Sequence, residues 1–165
     1  MDIEHSKNIQ VTTHSGKTYP AKVIAILKSK NDLALIKIDT KENLELAIFG
    51  NSDDIKVGQR VLTIGCPFGF KDTLTTGIIS RIDYQNNKIQ TDAAINGGNS
   101  GGGLFDKNTG ALIGIVNAGY ASSTAQGLSF AIPSSTAVGI VEQLLGNGYI
   151  EGRYDFGGEF SLYSV

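Results

Sequence analysis

Asn96-Gly97-Gly98-Asn99-Ser100-Gly101-Gly102-Gly103 sets one serine among five glycines, between a strand-like approach over residues 89–95 and a strand-like exit at Leu104 and residues 111–116. A serine hydroxyl is a weak nucleophile at neutral pH. It becomes effective when an adjacent base takes its proton and when amide hydrogens face the oxygen that turns negative. Glycines can supply those amides, because without a Cβ they reach the φ > 0 conformations that gather successive N–H groups into one concavity. Taken alone, the octet fits a flexible connecting loop equally well, so the rest of the chain has to decide.

Outward from the octet, apolar residues recur in short runs set off by Gly, Asn, Asp and Ser. β-Branched and aromatic side chains fill those runs, the pattern that strands of a barrel or sandwich require. The expected strands are residues 8–13, 19–27, 32–38, 60–65, 73–82, 88–92, 102–105, 111–118 and 127–132, three before Gly50 and six after it. His14-Ser15-Gly16-Lys17 reads as a hairpin turn, and Asn86-Asn87 and Asn108-Thr109-Gly110 as the turns of later hairpins. The polar break Gly50-Asn51-Ser52-Asp53-Asp54 separates a first lobe, residues 1–50, from a second, residues 51–133. Only the C-terminal stretch has a helical period: Ser134 or Ser135 can cap it, Ala137, Ile140, Val141, Leu144 and Leu145 form one apolar stripe, and Gly146 ends it. Residues 134–146 are therefore read as a helix docked on strands, and residues 147–165 as a tail with no assigned structure.

With 165 residues, 41% of them hydrophobic, the chain can bury a core of its own. A formal charge of −2 without a lysine or arginine cluster argues against nucleic acid or an anionic membrane as the main partner. No apolar run approaches the roughly 20 residues needed to span a bilayer. The first twenty residues are mostly polar and lack the charged-then-apolar pattern of a secretory signal. Cys66 is the single cysteine and there are two histidines. No intramolecular disulfide, metal site or cofactor is expected.

The positions of the histidines restrict the chemistry. Gly98-Asn99-Ser100-Gly101-Gly102 also matches the G-x-S-x-G nucleophile elbow, but that arrangement orders its triad serine, acid, histidine and places a helix directly after the serine. No histidine comes after Ser100, and its next neighbours are three glycines and a strand pattern. The order acid, histidine, serine fails as well, since no histidine lies between residues 15 and 99. The order histidine, acid, serine remains. Its best acid is Asp32, a lone carboxylate at the mouth of the apolar run Leu33-Ala34-Leu35-Ile36. Orienting an imidazole through its Nδ1–H is one use for such a carboxylate, and capping a strand as a solvated turn acid is another.

These residues carry a resemblance. Asn31-Asp32-Leu33-Ala34-Leu35-Ile36-Lys37-Ile38, the stretch 58–69 from Gly58-Gln59-Arg60 to Pro67-Phe68-Gly69, Thr75-Thr76-Gly77-Ile78-Ile79-Ser80, Gln90-Thr91-Asp92-Ala93-Ala94-Ile95-Asn96, the Ser100 octet and Gly127-Leu128-Ser129-Phe130-Ala131-Ile132-Pro133 resemble the protease domain of HtrA/DegP-type serine proteases. They do so in order and with similar gaps, from about residue 8 to residue 150. The resemblance implies an all-β protein of the trypsin/chymotrypsin type, a double β-barrel whose first barrel is incomplete here, with one C-terminal helix. It implies Ser100 as nucleophile, Asp32 as the acid that orients the base, and the N–H groups of Gly98 and Ser100 as the oxyanion hole. Ala94 and Ile95 would floor the primary specificity pocket, Asn117, Ala118 and Gly119 would pair with substrate backbone, and Gly127 would line a wall. An uncharged floor predicts cleavage after small or medium aliphatic residues.

Two departures stand out. The family's histidine would fall about thirty residues before Asp32, near Met1 or Asp2, and neither is histidine. His14 lies at a predicted hairpin tip and His5 in the polar approach to a strand, so neither is expected to act as the base. The chain is then expected to begin just after the catalytic histidine and to show little activity by itself. Gly97 and Gly103 also stand where the family usually has proline, which predicts a more mobile loop. The expected function is that of a serine endopeptidase. The alternative is a non-catalytic relative that binds unfolded or extended polypeptide by strand addition along Asn117-Ala118-Gly119. An incomplete barrel would favour a homo-oligomer, and the resemblance suggests the cell envelope or periplasm.

Overall fold

The short apolar runs form nine strands and one helix in a computed structural model of the chain, which describes residues 8–27, 32–66, 73–119 and 128–147. Each expected strand is present within two residues of its expected bounds. The chain divides into two units, one made of residues 1–45 with 143–165 and the other of residues 46–142.

In the first unit β1 (Ile9–Thr12), β2 (Thr18–Leu27) and β3 (Leu33–Ile38) form an antiparallel meander in the order β1-β2-β3. The register pairs Val11 with Tyr19, and Val23 with Ile36, before a bulge between Val23 and Ala25. β3 alternates between half-buried and exposed residues. The apolar run Leu33-Ala34-Leu35-Ile36 is thus not buried on both faces. A polar cluster ties the β1-β2 turn to the chain beyond β3. The Glu42 carboxylate accepts from the Ser15 hydroxyl at 2.5 Å, Tyr19 at 3.0 Å and Thr13 at 3.3 Å, with the Lys17 ammonium 3.7 Å away. The Ser15 bond above all, supported by Tyr19, Lys17 and Thr13 against a smaller effect of burial, holds the Glu42 carboxyl below the usual carboxylate range.

In the second unit six strands close into a barrel in the order β4-β5-β6-β9-β8-β7. They are β4 (Arg60–Gly65), β5 (Thr73–Asp83), β6 (Lys88–Thr91), β7 (Gly103–Asp106), β8 (Leu112–Gly119) and β9 (Ser129–Pro133). Closure comes from the β4-β7 ladder, where Thr63 faces Leu104, and it removes the unpaired edges that an open sheet would leave. Alternation along the strands turns Val61, Ile79, Ile89, Leu104, Ile113, Val116 and Ala131 into one shared core. Each fully buried Val, Leu or Ile side chain there stabilises by about 1.5–3 kcal/mol relative to exposure.

α1 (Ser134–Asn147) starts where the sequence places its cap. The Ser134 hydroxyl donates to the Gly50 carbonyl at 2.8 Å, and the Ser135 N–H donates to the Ser52 hydroxyl at 3.0 Å. The polar break at residues 50–54 therefore holds the first turn of the helix. At the end of β7, Asp106 is buried and fixes the β7-β8 turn. Its carboxylate accepts the N–H groups of Asn108 at 2.7 Å and Thr109 at 2.9 Å, and the Gln59 side-chain amide. Burial pushes its carboxyl upward, but the Thr109, Gln59 and Asn108 bonds outweigh that and leave it below the usual range.

Candidate active site

The loop that joins β6 to β7 carries the serine. Among the described residues five backbone hydrogen bonds set its course, one of them from the Cys66 N–H to the Gly98 carbonyl at 3.4 Å. Asn99 N–H closes a turn on Asn96 O at 3.0 Å, Gly102 N–H reaches Asn99 O at 2.9 Å, Gly101 N–H reaches Val116 O at 2.7 Å, and Val116 N–H reaches Gly102 O at 2.8 Å. Gly98 occupies the third position of the first turn with φ 104°, and Gly101 comes directly after the serine with φ 86°. A type II turn needs φ > 0 at its third position, which only glycine adopts freely. Ser100 is exposed between them. Among the described residues, neither its N–H, its hydroxyl nor the Gly98 N–H has a hydrogen-bond partner.

Beneath the serine the Asn99 side chain points inward and is only 1% exposed. Its Nδ2 lies 3.5 Å from the Ala94 carbonyl oxygen, which also accepts the Thr75 hydroxyl at 2.9 Å. Asn99 rests on Gly65 of β4 so closely that a methyl group at position 65 would come within 2.9 Å of the Asn99 Cα. Asp92 adds a further tie, since its Oδ1 accepts the Ile78 N–H at 2.7 Å. At the loop's exit, Gly103 lies under the Phe105 ring and Leu112. A methyl group there would sit 2.7 Å from Leu112 Cδ1.

β8 runs past the loop. Its ladder with β7 ends at Ile115, opposite Gly103, and Val116 bonds to Gly101 and Gly102. Beyond that point Ala118 and Gly119 continue as strand, paired with Phe130 and Ser129 of β9 on one side only among the described residues. The Asn117 Oδ1 accepts from the Lys88 ammonium at 3.4 Å.

Ser100, Gly98, Ala94, Ile95, Asn117, Ala118 and Gly119 all belong to the second unit. Ala94 is exposed and Ile95 half-buried against the core. Asp32 belongs to the first unit, just before β3. It is exposed and holds φ at 41°, a left-handed conformation that Asp tolerates better than most side chains. His14 is exposed in the β1-β2 turn. Gly127 and His5 lie outside the described residues. Sequence reasoning missed Asn99, Thr75 and Gly65 as parts of the loop's support. Only Asn99 had a signal, an amide side chain directly before the serine.

A closed antiparallel barrel bearing a glycine-framed exposed serine, in a chain that also forms a separate antiparallel sheet, is the build of a trypsin-like peptidase. The chain belongs to that family: the profile described as "Trypsin-like peptidase domain" matches residues 3–115. It is 42% identical over 157 residues to the "Probable periplasmic serine endoprotease DegP-like" of Chlamydia trachomatis serovar D, covering 90% of this chain and 31% of that protein. It is also 42% identical over 160 residues to "Protease Do-like 1, chloroplastic" of Arabidopsis thaliana, covering 90% of this chain and 36% of that one. Among solved structures, the HtrA-type protease AlgW with decapeptide superposes with a TM-score of 0.78 at 40% identity, covering 88% of this chain and 46% of the other. The chain is thus a partial protease domain of the HtrA/DegP type, spanning about a third of the length of these curated relatives. No helix among the described residues is long and apolar enough to cross a membrane.

Proposed function

We propose that this chain carries the nucleophile, the oxyanion-stabilising amides and the substrate-pairing strand of a serine endopeptidase. One observation carries the reading: an exposed Ser100 whose own N–H and that of Gly98 have no acceptor among the described residues, in a loop held from below by Asn99. In peptide-bond hydrolysis the Ser100 Oγ attacks the scissile carbonyl. The two amides stabilise the negative oxygen that forms, which in such sites contributes about 2.7–4 kcal/mol per donor. Substrate backbone adds alongside residues 117–119 as a further strand. The uncharged Ala94 and Ile95 admit small or medium aliphatic side chains before the cleaved bond. Asp32 is the acid that orients the imidazole. That imidazole does not come from residues 15–165, which contain no histidine, and neither His14, in a hairpin turn, nor His5, in the polar approach to a strand, is expected to supply it. The 165-residue chain by itself therefore hydrolyses peptides slowly. The DegP-like relatives named periplasmic, and the decapeptide bound to the AlgW structure, support an envelope location and an extended polypeptide substrate.

Product binding tests this reading without needing the base. Peptides ending in a free carboxylate after Val or Ala should shift the Gly98 and Ser100 amide resonances together with those of residues 117–119. Peptides ending in Lys or Asp should bind more weakly. Shifts confined to residues 117–119, with no preference for the carboxylate end, would replace the peptidase reading with that of a non-catalytic peptide binder.

A further inference from the structure

Two side-chain atoms near this loop are buried without a hydrogen-bond partner: the Thr63 hydroxyl and Asn99 Oδ1. Each residue is 1% exposed. Native interiors seldom leave such groups alone, because an unsatisfied one shifts the folding equilibrium by about fivefold or more. The Asn99 amide cannot be turned round to relieve the problem. Its Nδ2 faces the Ala94 carbonyl, an acceptor only, so Oδ1 must face the other way.

The neighbours of both atoms are already committed. Thr63 stands on the inward face of β4 between Thr75 of β5 and Leu104 of β7. The Thr75 hydroxyl donates its one proton to the Ala94 carbonyl and so has none to give Thr63, and Leu104 is apolar. Gly65, the next inward position on β4, is the residue that Asn99 covers. Same-face positions on a strand lie about 6.6 Å apart. Two hydrogen bonds of about 2.8 Å, end to end, span nearly that distance.

We propose that one water molecule binds between Thr63 Oγ1 and Asn99 Oδ1. It donates to the amide oxygen and exchanges a hydrogen bond with the hydroxyl, and a buried water needs at least two such partners. Thr63 thereby becomes a positioning residue for Ser100, acting through the water and Asn99 on the turn that aims the Gly98 and Ser100 amides. The functional part of this inference rests on the peptidase reading, but the water itself does not.

The test is made by NMR on the full 165-residue chain without substrate. Cross-relaxation of the sign given by a long-lived water is expected at the Asn99 side-chain amide and at Thr63. Thr63→Val should abolish it, speed hydrogen exchange of the Asn99 and Gly102 amides, which close the loop's two turns on Asn96 O and Asn99 O, by about fivefold or more, and lower the melting temperature. Thr63→Ser should retain all three properties. No long-lived water at Asn99 in the parent chain overturns the proposal. So does a Thr63→Val variant that melts higher with unchanged exchange, the result of deleting a hydroxyl that bonds to nothing. Should the Val variant not fold, the water signal in the parent and in Thr63→Ser decides. Product peptides that shift no loop resonance would sink the peptidase reading and leave this result standing.

Discussion

The Gly101 N–H donates to the Val116 carbonyl at 2.7 Å, which fastens the residue after Ser100 to the strand that runs on as residues 117–119. With the return bond from the Val116 N–H to the Gly102 carbonyl at 2.8 Å, this bond couples the proposed nucleophile to the strand proposed to pair with substrate, so a shift in one disturbs the other. The support of this loop, more than the serine itself, determines what substitutions near it will do.

Gly97→Pro should stabilise the chain. Position 97 is the second residue of the turn closed by Asn99 and Asn96, the position where proline's fixed φ is favoured. A Cβ there would meet nothing within 4 Å. The expected gain is about 0.4–1 kcal/mol, from a less disordered unfolded chain. Urea denaturation measures it, and a lower midpoint would show that the turn differs from the one described.

Gly65→Ala should do the opposite. The added methyl would press on the Asn99 Cα from 2.9 Å, and Asn99 is a buried residue. A loss of about 1–3 kcal/mol is expected. The Gly98 and Ser100 amide resonances should move as well, which heteronuclear NMR reads directly. Unchanged loop resonances would mean that Asn99 does not position the turn.

Ser100 should react sluggishly. A fluorophosphonate probe labels a serine only when its hydroxyl is activated, and removal of a triad member costs about a thousandfold or more in rate. Intact-mass spectrometry should show labelling of the 165-residue chain slower than that of an intact trypsin-like protease by at least that factor. Labelling at a comparable rate would place a functioning base within this chain.

Acid should weaken both units. Glu42 and Asp106 have carboxyls held below their usual range in the folded state. Groups of this kind stabilise the fold above the unfolded-state value and lose that contribution as pH falls through the folded one. Melting temperatures should therefore drop below about pH 4. Glu42→Gln and Asp106→Asn should each flatten that drop while lowering stability at pH 7. A variant with the parent's full acid dependence would exclude its carboxylate as a cause.

The alternating runs and turn residues made the strands readable. Gly16 and Asn87 adopt the positive φ that their turns suggested, and the helix starts at Ser134, although its first turn is held by Ser52, which accepts the Ser135 N–H, and not by a bond from either expected cap. The serine loop was readable because its glycines are local in sequence. Its foundation was not. Thr63 and Gly65 of β4, Thr75 of β5 and Asn99 of the β6-β7 loop come from three separate segments, and only the closed ring of strands brings them together. Asp32 shows the other limit. An acid beside an apolar run suggests burial, whereas β3 has one face uncovered and leaves the carboxylate in solvent.

Gly103 and Phe105 share one small volume at the exit of the serine loop. A side chain introduced at the first position has to push aside the tip of the Phe105 ring and the Leu112 methyl as well. What position 103 tolerates therefore depends on how far Phe105 and Leu112 can swing. A graft of a stiffer loop onto this chain should be tried with both the parental and a smaller residue at 105.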